Sequence, residues 1–555
     1  MANILGKYRD VLETITIVKG LLKSAGFDLE EKELIHQVEN IWSVNLQDKD
    51  SPFYTNGKGS TKENCLASAY CEFLERLGTG FFFFDYALDH LGEEGWLYSP
   101  DEVRVPNDNN YKKSLLNKKL WKFYDPNNVL ESNAFLDSGL CNKESIISLP
   151  FTHNKGGVVN FPVELLRNIY ASNGLSAGNS EVETLVQGVS EAIERGVKNY
   201  IISEGLSLPD IDRSYLVEND FIDTINEIES FGFSVKVKDA SLKGRFPVIC
   251  VLLINLENGS VLSSFGSHPI VNVAIDRSLT ELLQGRKLES FEGFSSLSNN
   301  YDQVADEANL ESHFINSSGI LHYNIVKPIN EEFTLWQYDK NTSDLDFLNT
   351  VLKKEGYEYF YRTKQIGDMW VSQTIIPHLS EIYPVEDLEY EYKNSVGYIR
   401  SFLKRDLDND ILLENIEWFN CSYISGDTRI VEYLGISTDE EHLLHSLLAD
   451  EVELLLYIQQ KNVDKIKYIL NYQIDLSLVD KRRLGFWSGL NLAILDNDFD
   501  TLSVLYTKEI IKDIEMAING VIPRRLFPLI LDDYSDLDKH KKISGVYKKY
   551  RKLLL

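Results

Sequence analysis

Two stretches of the sequence carry the same charged residues at the same spacing. In each, a glycine is followed thirteen residues later by Glu-x-x-Glu-Arg, first from Gly59 to Arg76 and then from Gly178 to Arg195. Residues three or four apart lie on one face of a helix, so each motif places two carboxylates and a guanidinium side by side. The pattern predicts two helices that present acids and an arginine to one ligand.

The second helix has an almost entirely acidic polar face. At 3.6 residues per turn, four polar residues fall within an arc of about 80°, namely Glu183, Gln187, Glu191 and Glu194. A solvated face normally mixes lysine with glutamate, whereas three carboxylates repel one another. The face therefore favours a bound cation. Mg²⁺ with a polyphosphate fits it, because Mg²⁺ is held by a few carboxylates together with substrate phosphates.

Arginines complement this acidic face. The planar guanidinium groups of Arg76 and Arg195 can each bind two phosphate oxygens. A third helical face, in AIDRSLTELLQGR, carries Arg277, Glu281 and Gln284 at i, i+4 and i+7. An ordinary solvated surface is the alternative. Because the pattern occurs twice with matching glycines, a ligand site is the favoured interpretation.

Glycines precede both acidic helices, at positions 57 and 59 and again at 174 and 178. Taken singly, such glycines are ordinary turn residues. Here they predict loops whose free backbone N–H groups could receive phosphate at the start of a helix. The GKGST segment is not a Walker A motif, because Pro52 stands where that motif requires its first glycine.

Several separated blocks of the sequence, in a fixed order, resemble the YcaO family. They are Lys7, Asn56–Gly59, Glu72–Arg76, Ser172–Asn179, Glu183, Gln187–Arg195 and Ala274–Arg277. The resemblance covers about the first 385 residues. It implies an ATP- and Mg²⁺-binding fold without a P-loop, in which ATP activates an amide by phosphorylating its oxygen after a nucleophile has attacked the carbonyl.

The same resemblance assigns roles to individual residues. It implies Mg²⁺ ligands at Glu72, Glu75, Glu183, Glu191 and Glu194. It implies nucleotide contacts from Lys7, Thr14, Arg76, Ser176, Asn179, Gln187, Arg195 and Arg277, although serine would match the family better than Thr14. Glu191, Glu194 and Arg195 would be the catalytic groups, with Glu281 and Gln284 in support.

One family feature is missing. Azoline-forming members end in a proline-rich tail, whereas this chain ends KYRKLLL with no proline after Pro528. The resemblance is therefore to the stand-alone bacterial members. It implies an accessory factor to a radical-SAM methylthiotransferase that β-methylthiolates an aspartate in a small-subunit ribosomal protein. A non-catalytic adaptor stabilised by ATP is the alternative, and a structural acidic protein without a nucleotide site is a third.

Composition limits the partners. With 555 residues and a net charge of −29, the chain lacks the basic balance of a protein that displaces counterions from nucleic acid. We expect a ribosomal link to run through protein, and a homodimer stays possible. Five cysteines without C-x-x-C spacing, and no targeting or membrane-spanning segment, indicate a cytoplasmic protein with reduced thiols.

The element pattern predicts an α+β protein. Strands are expected at 41–46, 53–55 and 368–376, and a hairpin at 246–254 and 260–265 turns through Asn258-Gly259. Strand, glycine loop and helix recur, which predicts an internally duplicated ATP-binding core over residues 1–385.

After that point the pattern becomes helical, which predicts an all-α interaction domain of helical hairpins over residues 386–555. Residues 454–470 align with 490–506 at an offset of 36. This period is close to that of tetratricopeptide repeats, although two unrelated amphipathic helices would also explain it. Stacked helical hairpins grip other proteins, so this region is the candidate for partner binding.

Overall fold

Helices and antiparallel sheets alternate along the first two thirds of the chain, and helices alone follow. The structure is a computed structural model that describes residues 7–91, 95–137, 139, 144–288, 294–390, 396–421, 424–496 and 499–555. This mixture of helix and sheet is the α+β architecture predicted from the sequence.

The strands supply the framework of the first part. They are β1 (Leu29–Val38), β2 (Ile41–Asp48), β3 (Tyr54–Gly59), β4 (Val103–Pro106), β5 (Ser145–His153), β6 (Val158–Pro162), β7 (Leu175–Gly178), β8 (Phe233–Asp239), β9 (Val248–Asn255), β10 (Val261–Ser267), β11 (Leu297–Ser298), β12 (Leu321–His322), β13 (Phe360–Ile366) and β14 (Met369–Ile375). The predicted strands at 41–46 and 368–376 are confirmed as β2 and β14.

The helices of this part are α1 (Val11–Ala25), α2 (Lys62–Gly78), α3 (Tyr111–Ser114), α4 (Lys118–Tyr124), α5 (Val163–Leu165), α6 (Glu181–Ser203), α7 (Arg213–Glu218), α8 (Ile222–Ser230), α9 (Val271–Leu282), α10 (Tyr301–Ala305), α11 (Glu307–Ile315), α12 (Asp344–Glu355) and α13 (Asp387–Tyr390). Both acidic helices begin at a hydroxyl cap. Thr61 accepts the Asn64 N–H before α2, and Ser180 accepts the Glu183 N–H before α6. Such caps satisfy backbone donors that a helix start leaves open.

The strands form three antiparallel sheets and one short parallel pair. One sheet has the order β1-β2-β3 and a second has the order β10-β9-β8. The third has the order β4-β5-β13-β14-β7, with β6 also paired to β5, and β11 pairs with β12. The predicted hairpin is confirmed, because β9 and β10 pair antiparallel through a turn in which Gly259 has a φ of 73°.

Each of the three helices that carry the predicted acids and arginines contacts two sheets. Helix α2 packs on β2 and β3 and also touches β7, α6 packs on β7 and β14 and also touches β10, and α9 packs on β9 and β10 and also touches β3. Strand followed by helix is thus a recurring unit, as predicted. This cross-packing draws α2, α6 and α9 towards one place.

Three of the four glycines that were predicted to lie in loops before the acidic helices lie in strands instead. Gly57 and Gly59 lie inside β3, paired with Val44 and Trp42, and Gly178 is the last residue of β7. Glycine is needed in β3 for space, because a Cβ on Gly57 would lie 2.3 Å from the carbonyl oxygen of Cys65 on α2. Only Gly174 occupies a turn with left-handed backbone, with a φ of 74°.

The last third is helical. Its helices are α14 (Val396–Lys404), α15 (Asn409–Cys421), α16 (Ile430–Tyr433), α17 (Ala449–Gln460), α18 (Val463–Tyr472), α19 (Lys481–Asp496), α20 (Phe499–Leu505), α21 (Lys508–Ile518) and α22 (Asp538–Leu554). The aligned stretches each span the end of one helix and the next helix. Burial does not repeat at that offset, because Ile469 is buried while Leu505 is 58% exposed. A tetratricopeptide-like domain stays a prediction.

The final helix returns to the first part of the chain. Helix α22 contacts α1 and α2, and the Tyr547 hydroxyl donates to the Leu97 carbonyl at 2.9 Å. Tyr550 is buried with its ring centroid 4.9 Å from that of Phe83. The division at residue 385 stays a prediction, and α22 contributes to the core that lies before it.

The side chains of three of the five cysteines are described. Cys65, Cys71 and Cys250 are free thiols, while Cys141 lies outside the described residues and nothing is described of the Cys421 side chain. No helix among the described residues is both long and apolar enough to cross a membrane.

Close packing of β3 on α2 predicts the effect of one methyl group. Gly57→Ala would push Cβ into the α2 backbone, so we expect a loss of about 1–3 kcal/mol in the free energy of unfolding. The matched control is Gly20→Ala, because Gly20 lies exposed in α1 with nothing within 4 Å of an added Cβ and alanine favours helix. Thermal melting that showed equal midpoints for both variants would contradict the packing.

Candidate functional site

Helices α2 and α6 bring acidic side chains into one buried region. Burial raises the pKa of the Glu75 carboxyl well above its ordinary value; Arg76 opposes this shift, and the charges of Glu191 and Glu72 add to it. Burial also raises the pKa of Glu191, against the opposing effect of Arg195 and Arg76. Carboxyl groups from two helices therefore sense one another where water screens them poorly. Glu72, Glu75 and Glu191 thus lie near one another, while their roles as metal ligands stay predictions.

The three predicted arginines reach this region with different contacts. Arg76 lies 3.4 Å from Glu72 and 3.6 Å from Glu75 in ion pairs. Arg277 Nη1 donates to Gln187 Oε1 at 2.6 Å. Arg195 has no ion pair or hydrogen bond with any described residue, and its guanidinium lies 5.2 Å from the ring centroid of Phe314. Its N–H donors are thus open to an anion.

The segment before α1 closes over the start of α6. Lys7 Nζ lies 3.1 Å from Glu183 Oε1, and the Tyr8 backbone N–H donates to Glu183 Oε2 at 3.3 Å. Asn179 Nδ2 lies 3.3 Å from both carboxylate oxygens, and Thr14 donates to Asn179 Oδ1 at 2.9 Å. One network thus joins the predicted residues Lys7, Thr14, Asn179 and Glu183. In this network Glu183 is paired with the amine of Lys7.

The thiol of Cys71 links this network to the other acids. Burial raises the pKa of the Cys71 thiol to about 12; Lys7 opposes the shift, and Glu183 and Glu75 add to it. The thiol therefore stays protonated at neutral pH. Its position shows that the Glu183 network and Glu75 border the same region.

Two predicted residues are bound by the protein itself. The Ser176 hydroxyl is fully buried, where it donates to the Thr184 carbonyl at 2.8 Å and lies 2.7 Å from the Ser372 hydroxyl. A nucleotide contact at Ser176 would have to replace these bonds, so this assignment stays a prediction. Glu194 Oε2 accepts the Ser267 backbone N–H at 3.1 Å, which ties α6 to β10.

The sequence analysis missed Lys58 as a site residue. Burial lowers its pKa to about 8; Arg277 and Arg195 lower it further, while Glu194 and Glu72 oppose them. Lys58 also forms an ion pair with Glu281. The signal was available, because Lys58 lies in the NGKG block that was interpreted only for its glycines.

Three further residues lie beside these groups. Burial raises the pKa of Asp276 to about 6, and burial lowers the pKa of His268 to about 3, with Arg277 and Lys7 lowering it further. Gln284 lies in the turn after α9 and not on the predicted helical face, and its side chain donates to the Asn56 carbonyl of β3; its supporting role stays a prediction. Asp276 was present in the A-I-D-R block, whereas nothing in the sequence singled out His268 or Phe314.

The arrangement fits a metal ion that is shared with phosphate. Among the described residues, no group of three or more His, Cys, Asp or Glu side chains is placed to hold a metal by itself. The set of five glutamate ligands therefore stays a prediction, and it is not a protein-only cage. Glu191 has no hydrogen bond or ion pair with the described residues. Since Mg²⁺ needs only one or two carboxylates when phosphates complete its shell, Glu191 and Glu75 would hold it beside Arg195.

Comparison with known proteins gives a consistent result. The model of a family described as YcaO cyclodehydratase, ATP- and Mg²⁺-binding, matches residues 56–380. An uncharacterized protein from Haemophilus influenzae is 32% identical over 581 aligned positions, which cover 99% of this chain and 98% of the relative. The ribosomal protein S12 methylthiotransferase accessory factor YcaO of Escherichia coli is 33% identical over 506 positions, covering 88% and 86%.

The solved structures that match this chain are more distant in sequence. A heterocyclase in complex with substrate and cofactor has a TM-score of 0.47 at 16% identity, over 69% of this chain and 55% of that one. YcaO from Methanopyrus kandleri, bound with AMPPCP and Mg²⁺, has a TM-score of 0.43 at 16% identity, over 68% and 93%. The assignment rests on the sequence matches, since the family model spans more than half of the chain and both relatives align along most of their length: this chain belongs to the YcaO family.

Proposed function

We propose that this protein binds ATP·Mg²⁺ between α2, α6 and α9 and serves as an accessory factor in the β-methylthiolation of an aspartate in a small-subunit ribosomal protein. The observation that carries the nucleotide site is the half-buried pair Glu75 and Glu191 beside the open guanidinium of Arg195. The name of the Escherichia coli relative supports the accessory role.

Phosphoryl transfer requires mainly positioning and charge neutralisation from a protein. Glu75 and Glu191 would hold the metal, while Arg195 and Arg277 would donate to phosphate oxygens. Lys58 adds a third positive charge from β3. When bound, Mg²⁺ neutralises charge that develops on the transferred phosphoryl group. The activated group is an amide or a related carbonyl of the acceptor.

The partners follow from the same proposal. A radical-SAM methylthiotransferase would supply the methylthio group, and a ribosomal protein would be the acceptor. Ribosomal proteins are commonly basic, so the net charge of −29 favours their encounter with this chain over long distances. A cytoplasmic location is part of the proposal.

An adaptor without catalysis is the second candidate, and the packing of α22 favours it. Because α22 lies against α1 and α2, the nucleotide site and the end of the helical region are mechanically joined. Exposed apolar side chains remain on α18 and α20, where Tyr472 is 82% and Val504 84% exposed. In this role, ATP would stabilise the core while these helices recruit the methylthiotransferase or its substrate.

Replacement of Glu191 tests the nucleotide site. We expect Mg²⁺ with a non-hydrolysable ATP analogue to raise the melting midpoint of the wild-type protein, since a ligand that binds only the folded state stabilises it. Glu191→Gln should lose most of this shift. The control is Glu181→Gln, which alters an exposed acid at the start of the same helix and should keep it.

Expression of the same variants in cells that lack the native gene distinguishes the ATP-dependent enzyme from the adaptor. Mass spectrometry of the small-subunit ribosomal proteins would show the methylthiolated aspartate with wild type and with Glu181→Gln. Loss of the modification with a folded Glu191→Gln protein agrees with ATP-dependent activation. Full modification by a Glu191→Gln protein that binds no nucleotide would contradict the enzyme and leave the adaptor. An unmodified ribosomal protein in wild-type cells would contradict both.

Replacement of Glu75 should affect stability and metal binding in opposite directions. Its folded pKa is raised, so the ionised form costs stability above the unfolded value of about 4.5 and costs nothing below it. Without ligand, Glu75→Gln should therefore stabilise the protein at pH 8 relative to wild type, and lose this advantage near pH 4.5. It should also weaken Mg²⁺-dependent nucleotide binding.

Thermal melting at the two pH values and titration calorimetry measure these effects. Glu63→Gln is the control, because Glu63 is an exposed acid on the same helix. A Glu75→Gln protein that is less stable at pH 8 and binds Mg²⁺·nucleotide normally would contradict the proposed role of Glu75.

A further inference from the structure

Arg195 makes no ion pair or hydrogen bond with the described residues, although its charge acts on Glu191, and its guanidinium lies against an aromatic ring. Arg76 has two ion pairs and Arg277 a hydrogen bond, whereas the described contact of Arg195 is with Phe314, whose ring centroid lies 5.2 Å from the guanidinium carbon. A guanidinium over a ring face gains a cation–π interaction and keeps its N–H donors free. The orientation of Arg195 therefore depends on the position of Phe314.

Phe314 belongs to the last turn of α11, and Lys198 fastens that turn to α6. Lys198 lies three residues after Arg195 and is 2% exposed. Its amine donates to the His313 carbonyl at 2.6 Å and to the Ser317 hydroxyl at 3.2 Å. These contacts flank Phe314 in sequence, so they fix where its ring lies.

Burial of the Lys198 amine costs free energy that a purely packing residue would not require. Among the described residues it has no ion pair with a carboxylate, although it lies inside the protein. An apolar side chain would fill the same space without the cost of burying an amine. The lysine is therefore explained by the two oxygens that it binds, and these belong to the turn that presents Phe314.

We propose that Lys198 and Phe314 are positioning residues that hold the guanidinium of Arg195 for the nucleotide phosphates. The proposal rests on the proposed function, because it assigns a task to the same ATP·Mg²⁺ site. Lys198 fixes the last turn of α11, this turn positions the Phe314 ring, and the ring positions the Arg195 guanidinium. Neither residue contacts the phosphate itself.

Two replacements of Phe314 test the ring. Phe314→Leu keeps an apolar side chain but removes the π face, and Phe314→Tyr keeps the face. Titration calorimetry with Mg²⁺ and a non-hydrolysable ATP analogue should show affinity about threefold to tenfold weaker for Phe314→Leu, as the loss of a cation–π contact implies. Phe314→Tyr should restore wild-type affinity, and both variants should melt close to wild type.

A double-mutant cycle tests the chain of contacts. Lys198→Met should weaken nucleotide binding as Phe314→Leu does, and the double variant should lose no more than the larger single effect, because coupled residues are non-additive. Additive losses would contradict the proposal, as would wild-type affinity in Phe314→Leu. If Lys198→Met does not fold, the comparison of leucine with tyrosine at position 314 still decides. Absence of binding by the wild-type protein would instead contradict the proposed function.

Discussion

Like charges gathered away from water are the constraint on which this structure depends. Glu75 and Glu191 come from different helices, and burial raises the pKa of each carboxyl. Ionised acids in such a place cost stability unless a cation joins them. The ion pairs of Arg76 with Glu72 and Glu75 offset part of this loss of stability. In the proposed site, a metal ion completes the charge balance, and Arg195 and Arg277 receive the anion.

The fold keeps these groups together by packing each helix between sheets. Close contact between β3 and α2 requires glycine at position 57, and α22 presses on α1 and α2 from the other end of the chain. Segment 7–10 then covers the start of α6 through Lys7 and Glu183. Segments that are far apart in the sequence thus hold α2 and α6 in place. The proposed function couples stability to ligand binding, because the acids that it assigns to the metal are those whose ionisation burial opposes.

Helical spacing was enough to predict the acidic faces, because i, i+3 and i+4 relations follow from local geometry. The hairpin through Gly259 and the strands β2 and β14 were predictable because strand patterns and the Asn-Gly turn are also local features of the sequence. The glycines of β3 were assigned to loops, since sequence alone does not distinguish a turn glycine from one that lets a helix approach. Phe314, His268 and the return of α22 depend on tertiary contacts between residues far apart in the chain. No local pattern encodes such contacts.

An experimental structure with Mn²⁺ and a non-hydrolysable ATP analogue tests the central claim most directly, because Mn²⁺ replaces Mg²⁺ and can be located by its anomalous scattering. The account predicts an ion coordinated at about 2.0–2.3 Å by at least one carboxylate from α2 and one from α6. Phosphate oxygens would complete its shell within reach of Arg195 and Arg277. A nucleotide bound elsewhere, or an ion without a carboxylate ligand from both helices, would contradict the account.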